Sequence, residues 1–540
     1  MLKNTRADLW TAVSSGLMLI GALCNPTLAT AAASKDFSIV NTENGSVEGT
    51  IEKDHRRFLG IPFAAPPVGD LRFVAPQPVK SWHGVRKATH FGHSCPQGTM
   101  YTDEDCLYLN VFTPYPLSNK PLPVMVWIYG GAYVMGSAAT YPPVKIATEG
   151  NVIAVAMNYR VGAFGFLAHP ALAAESDASG NYGLLDQQAA ITWVKRNARA
   201  FGGDPNNITI FGESAGGASV CAQLTSPAMA GQFQKAIIES GPCYMVKPRD
   251  VAEAYGQNIA SENGCPTTAD AAAADCLRKL PVSAFAVPGT EIIGNTGGGS
   301  LADPNAFPYT PTTGTSVLPL DPPTALATGQ FNHVPVIVGS NHDEMRLFTA
   351  VAFDLLKGAP ITADQYPSLI QTTYTSNAAA VLSQYPLTSY ATPDLAFSAL
   401  STDSVFSCPT LSGRQSLAQN GNVTYAYEFA DENTSLPVLK RADLAGFPEG
   451  LGATHGSEVP FLFPIAYLNP AQKRLSHQMI GYWTHFAETG NPNFSGAPAW
   501  PQFDTSQNNL LSLVTDATHV TTDFASDHQC AFWAGLPPQK

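Results

Sequence analysis

The sequence predicts an α/β protein: one large, mostly parallel central sheet with helices on both faces and inserted loops forming a gorge or lid. Apolar runs bounded by Gly, Pro and Asn recur along it, at Val124–Tyr129, Val152–Met157, Ile208–Phe211, Ala236–Ile238, Val336–Gly339 and Val423–Phe429. Several are continuous instead of alternating, as strands covered on both faces must be. Helix-like stretches lie between them, among them Gly183–Phe201 and the segment after Ser214, and strand alternating with helix is the pattern of a parallel sheet.

Taken from the N-terminus, residues 1–33 differ from the rest. Lys3 and Arg6 precede an apolar run from Leu9 to Cys24, and small residues follow through Ala31, Ala32 and Ala33. This is the layout of a secretory signal peptide, with cleavage expected near Ala33 and a secreted or periplasmic product. The run is short for a span of about 20 residues and no second one follows, so no stable membrane span is expected. Residues 34–540 are expected to form a single domain.

The chain is 45% hydrophobic and 13% charged over 540 residues, which supplies a large core and excludes disorder over most of its length. Loss of residues 1–33 takes the formal charge from −13 to −14, and an acidic chain without a basic cluster is a poor nucleic-acid binder. Past the leader lie Cys95, Cys106, Cys221, Cys243, Cys265, Cys276, Cys408 and Cys530, none with metal-site spacing. Export makes disulfides chemically allowed, and the intervals Cys95 to Cys106 and Cys265 to Cys276 suit local loop closure. The stretch from Ala286 to Pro323, rich in Gly, Pro, Thr and Asn, reads as a surface excursion inside one domain, of the kind that forms a lid.

The strongest chemical signal is Gly212-Glu213-Ser214-Ala215-Gly216, set between a predicted strand and a predicted helix. In such a nucleophile elbow the serine occupies a strained turn, and glycines stand where side chains would collide with neighbouring elements. The helix N-terminus behind Ser214 favours the negative charge that develops during attack.

Beyond the elbow, the chain carries Glu104-Asp105-Cys106-Leu107-Tyr108-Leu109-Asn110, Trp127-Ile128-Tyr129-Gly130-Gly131, Asn158-Tyr159-Arg160 and Gly180-Asn181-Tyr182-Gly183-Leu184-Leu185-Asp186-Gln187. With these strings it resembles the type-B carboxylesterase and lipase family from about Gly45 to Trp533. The resemblance implies the α/β-hydrolase fold and a serine carboxylic-ester hydrolase working through an acyl-enzyme. It implies Gly131, Ala132 and Ala215 as oxyanion-hole amides, with Ala132 standing where many relatives have a third Gly.

Among twelve histidines, His455 stands out because Ala453-Thr454-His455-Gly456-Ser457-Glu458 resembles the family's catalytic loop. Gly339-Ser340-Asn341-His342-Asp343-Glu344 resembles its acid loop, which selects Glu344. Met345 replaces a usual Gly there and leaves Asp343 as a rival. Glu213 adjoins the nucleophile, and Ser240 matches a serine that in relatives lies close to the catalytic acid and base, so both are candidates to support the reacting groups. The family's disulfides map onto Cys95 with Cys106, Cys265 with Cys276, and Cys408 with Cys530, whereas Cys221 and Cys243 receive no assignment.

The interval from Cys95 to Cys106 holds no Trp. In cholinesterases the corresponding loop is longer and carries one that binds choline by cation–π contact, so that activity is disfavoured. The chemistry calls for no cofactor or metal, and the partner is a small-molecule ester. Two other readings stay open, a lipase with an interfacial lid and a catalytically silent adhesion relative. A narrower substrate class is a polyester natural product such as fumonisin, whose anionic acyl groups would need a cation; Arg346 is the candidate.

Overall fold

The computed structural model describes residues 37–97, 102–285, 307–434 and 444–537. The expected signal peptide and the first part of the Gly-rich stretch lie outside them. Within the unit Ser38–Lys540, eleven strands form one sheet. In chain order they are β1 (Thr50–Ile51), β2 (His55–Pro62), β3 (Tyr108–Pro114), β4 (Leu122–Ile128), β5 (Ile153–Met157), β6 (Gly203–Glu213), β7 (Lys235–Glu239), β8 (Val336–Asn341), β9 (Thr424–Phe429), β10 (Leu510–Leu513) and β11 (His519–Thr521). Their spatial order is β11-β10-β9-β8-β7-β6-β4-β5-β3-β2-β1.

The middle of this sheet, from β10 to β5, is parallel throughout, and antiparallel pairs occur only toward its two ends. Helices cover both sides. That coverage explains the continuous apolar runs: every residue of β5, β7, β8 and β9 is buried, so no position needs to be polar for solvent. Each fully buried Val or Ile contributes roughly 1.5–3 kcal/mol. The Trp127 ring at the end of β4 packs 4.9 Å from Phe211 and 4.6 Å from Phe463, which fixes β4 against β6 just below the site.

Two helices follow from local signals. The first, α1 (Tyr182–Phe201), stops at Gly202 in the left-handed conformation, φ 96°. Its N-terminal neighbour Asn181 donates to the Thr312 carbonyl at 2.8 Å and accepts from the Thr312 amide at 2.9 Å. The second, α2 (Ala215–Thr225), carries the elbow.

Residues 307–323 correct one expectation. Phe307, Tyr309 and Leu318 are buried, and Thr312–Thr313 pairs in parallel with Lys247–Pro248. This half of the excursion is therefore core-packed instead of superficial. Its Thr and Pro content hid the anchoring, because the partners lie on distant α1 and on Lys247–Pro248.

Four disulfides are present: Cys95–Cys106, Cys221–Cys243, Cys265–Cys276 and Cys408–Cys530, with Cα separations of 5.0, 5.5, 5.6 and 5.2 Å. The second joins the two cysteines that the resemblance left unassigned. Among the described residues, no helix is long and apolar enough to cross a membrane.

Candidate active site

The chemistry-bearing residues gather where β6, β7 and β8 end. Ser214 follows β6 directly, Ser240 follows β7, and Asp343 and Glu344 follow β8. In open parallel sheets the carboxyl ends of the strands are where reacting groups can leave the packed layer.

Ser214 has φ 59° and ψ −127°, a strained conformation for a residue with a side chain. The turn closes this tightly only because its flanks are glycine. A methyl group on Gly212 would lie 2.6 Å from the Ile128 carbonyl, and one on Gly216 would come closer still to the same atom. The Ser214 amide donates to the Glu239 carbonyl at 3.0 Å, so the elbow is fastened to β7. Its hydroxyl has no hydrogen-bond partner among the described residues, and the side chain is part-exposed.

His455 packs against the rings of Phe348 and Phe406, each with its centroid 5.0 Å away. Its Nδ1 is 2.6 Å from Glu344 Oε2, and its backbone amide donates to the Glu344 carbonyl at 3.2 Å. The other oxygen of Glu344 accepts from the Asn341 amide at 2.8 Å. The buried Glu344 carboxylate is thus held at both oxygens and sets the imidazole tautomer with Nδ1 protonated.

Asp343 takes a different direction. Its carboxylate accepts from the Ala453 amide at 3.0 Å and pairs with Arg346 at 2.7 Å, while its own amide donates to the Ala453 carbonyl at 2.9 Å. It ties the acid loop to the histidine loop, and it occupies the guanidinium of Arg346. Met345, the departure from the family pattern, is buried at the start of a helix, its amide donating to Thr402 Oγ1 at 3.0 Å.

Ser214 and His455 share no hydrogen bond. His455 Nε2 makes no hydrogen bond among the described residues; its nearest charged atom is Glu213 Oε1 at 3.2 Å. The Glu213 carboxylate in turn flanks the same point as the Ser214 side chain: a methyl group on Gly130 would meet Ser214 Cβ at 2.7 Å and Glu213 Oε2 at 3.1 Å.

The amides of Gly131, Ala132 and Ala215 donate to no protein acceptor among the described residues. Gly131 and Ala132 hold φ values of 112° and 53°, so Ala accepts the left-handed conformation in this turn. Ser240 is buried with its hydroxyl unpaired, and it touches neither Glu344 nor His455 by hydrogen bond.

Electrostatically the site is crowded with acids. Burial raises Glu213 to about 7 and Glu239 to about 8, the latter accepting from Trp483 Nε1 at 2.8 Å. Burial also pushes Glu458 well above the usual carboxylate range; it accepts from Asn341 Nδ2. His455 feels burial against its charge, yet Glu213 and Glu344 outweigh this and raise it above its ordinary value. Glu239 and Glu458 were missed in the sequence, although one adjoins Ser240 and the other lies three residues past His455.

A profile of the carboxylesterase family matches residues 36–533. The chain belongs to the carboxylesterase family. It is a carboxylic-ester hydrolase, and its relatives carry this activity in their names. It is 32% identical to carboxylesterase 1D of Mus musculus over 92% of this chain and 93% of that protein. Fumonisin B1 esterase of Sphingopyxis macrogoltabida is 36% identical, with 93% of this chain and 90% of that one covered. Para-nitrobenzyl esterase of Bacillus subtilis is 34% identical, covering 89% and 95%.

Three of the carboxylesterase strings have structural work in this chain. Arg160 meets Asp186 in a buried two-pronged ion pair with both contacts at 2.8 Å, and Arg72 meets Glu104 in a second.

Proposed function

We propose that this carboxylesterase hydrolyses its ester through an acyl-enzyme formed on Ser214, with His455 as general base and Glu344 as the acid that orients it. The observation that carries the reading is the 2.6 Å contact between Glu344 and His455 Nδ1, which leaves Nε2 on the side of the serine elbow. Ser214 Oγ attacks the ester carbonyl while Nε2 takes its proton. Gly131, Ala132 and Ala215 supply amides to the oxyanion, and loss of one such donor typically costs 10²–10³-fold in rate. The imidazolium then protonates the departing alcohol, and water repeats the sequence on the acyl-enzyme. Glu344 stabilises the imidazolium without accepting its proton.

The four disulfides and the charged, apolar and small-residue zones of residues 1–33 support export as a single domain, 34–540, after loss of a signal peptide. A retained nucleophile, base and acid speak against a silent adhesion role. The test is covalent labelling by an organophosphonate followed by peptide mapping. Label on Ser214, with burst release of a phenol from an activated ester, is the expected result; stoichiometric label on another serine overturns it.

A second reading concerns the substrate, and the 36% identity with fumonisin B1 esterase favours it: a bulky ester with anionic acyl groups. Arg346, the candidate cation for such a group, is part-exposed and pairs with Asp343 through one of its guanidinium nitrogens. Measuring kcat/KM over a panel of esters varied in acyl length and charge separates this reading from a neutral-ester carboxylesterase. Rates for a short triglyceride below and above its solubility limit separate both from a lipase.

A further inference from the structure

We propose that His342, Glu428 and His528 bind one divalent transition-metal ion, for which zinc is the fitting probe, behind the acid loop. The three residues come from three separate places: the loop after β8, the end of β9, and the turn before Cys530. One ligand atom of each lies within 4.8 Å of the others. His528 and Glu428 are buried, while His342 is part-exposed and gives an ion a way in.

The orientation of the two imidazoles is what points to a metal. His528 Nδ1 is 2.7 Å from Asp403 Oδ1, which leaves Nε2 facing Glu428 Oε1 at 2.7 Å. His342 Nδ1 is 3.2 Å from Asp343 Oδ1, and its Nε2 makes no hydrogen bond among the described residues. A carboxylate on the remote ring nitrogen is the usual companion of a metal-binding histidine, because it fixes the tautomer and raises ligand basicity.

The support continues outward: Tyr385 donates to Asp403 Oδ2 at 2.7 Å, and Trp533 Nε1 donates to the Tyr385 hydroxyl at 2.7 Å. Asp403 itself opens a π-helical turn, Asp403–Ser407, a local irregularity that often marks a functional position.

The set of two imidazoles and one carboxylate suits zinc, with bonds of about 2.0–2.2 Å and a fourth position for water. The 2.7 Å between His528 and Glu428 must then open by roughly 0.7 Å, toward the roughly 3.4 Å that such bonds subtend at the tetrahedral angle. Among the described residues, Glu428 has no Lys or Arg in ion-pair contact; the neighbouring Arg414 is buried over Phe524 without a hydrogen bond.

A proton is the competing occupant. A His528 imidazolium bridging Asp403 and Glu428 would satisfy those three groups, but it gives no reason for the second imidazole to converge on them. Metal uptake exchanges that proton for the ion, so the solution gains one proton per ion bound.

The experiment uses the full mature chain, stripped with a chelator and titrated with zinc chloride at pH 8 by calorimetry, with bound metal counted by elemental analysis after desalting. One equivalent is expected, together with a rise in Tm. Cobalt(II) in place of zinc should give visible absorption bands of a nitrogen- and oxygen-ligated ion. Because His528 variants can fail to fold, the deciding variant is His342→Gln at the part-exposed ligand, which should weaken zinc binding by more than the roughly 10–100-fold that loss of an outer-shell partner costs, and abolish the Tm rise. Wild-type protein that retains no zinc, or His342→Gln that binds as tightly as wild type, overturns the proposal and leaves the proton-bridged arrangement.

Discussion

Glu213 Oε1 lies 3.2 Å from His455 Nε2, the nitrogen proposed to accept the Ser214 proton. A charged Glu213 therefore stabilises the imidazolium, and burial opposes that charge.

Glu213→Gln removes a carboxylate that raises His455 above its ordinary value. His455 works as a base only when neutral, so kcat/KM falls as pH drops through the acidic limb. Without Glu213 that limb should move to lower pH. Initial rates with a soluble activated ester, measured from pH 5 to 9 on both proteins, check the direction; an unchanged or upward-moved limb contradicts it.

Ser214→Ala should abolish organophosphonate labelling, and His455→Gln should remove nearly all turnover while the fold persists. Active-site titration and circular dichroism on the same samples provide the comparison. Turnover near the wild-type level in either variant would dismiss its assigned role.

Glu344→Gln and Asp343→Asn should separate cleanly. Glu344 holds Nδ1 at 2.6 Å, and loss of the orienting carboxylate in such a triad costs about 10⁴-fold in kcat. Asp343 instead holds the Ala453 amide and Arg346, so its amide variant should lose within about tenfold in kcat together with some stability. Parallel kinetics and denaturant melts read both effects, and the reverse ranking would move the acid role to Asp343.

Replacing Cys408 and Cys530 by Ser should lower stability by about 2–5 kcal/mol, since the bond closes a separation of 122 residues. Urea unfolding of the double variant gives the value. A midpoint unchanged from wild type would mean that the C-terminal turn is held by packing alone.

Legibility in the sequence followed distance along the chain. The elbow could be read because Gly212, Ser214 and Gly216 act on one another within five residues. The strand that carries it was read too short, as Ile208–Phe211 against the observed Gly203–Glu213, since Asp204, Asn206 and Asn207 mask its beginning. Glu344 is selected over Asp343 by the acid-loop resemblance alone, because which of two adjacent carboxylates faces the imidazole depends on the distant Ala453 contact. The Cys221–Cys243 bond and the convergence of His342, Glu428 and His528 were invisible for the same reason: each joins segments that only the sheet order makes neighbours.

The Cys221–Cys243 bond fastens the middle of the nucleophile helix to the loop that leaves β7 just past Ser240, and Cys221 is completely buried. A closed protein interior admits no oxidant or isomerase, so this linkage has to form while the centre of the sheet is still assembling. Production in a bacterial cytosol, where thiols stay reduced, would deliver a chain whose Cys221, Cys95 and Cys106 thiols are already sealed away, and later air oxidation would reach the less buried pairs, Cys265–Cys276 and Cys408–Cys530, first. The choice of host compartment consequently decides which covalent form of the enzyme reaches the assay bench.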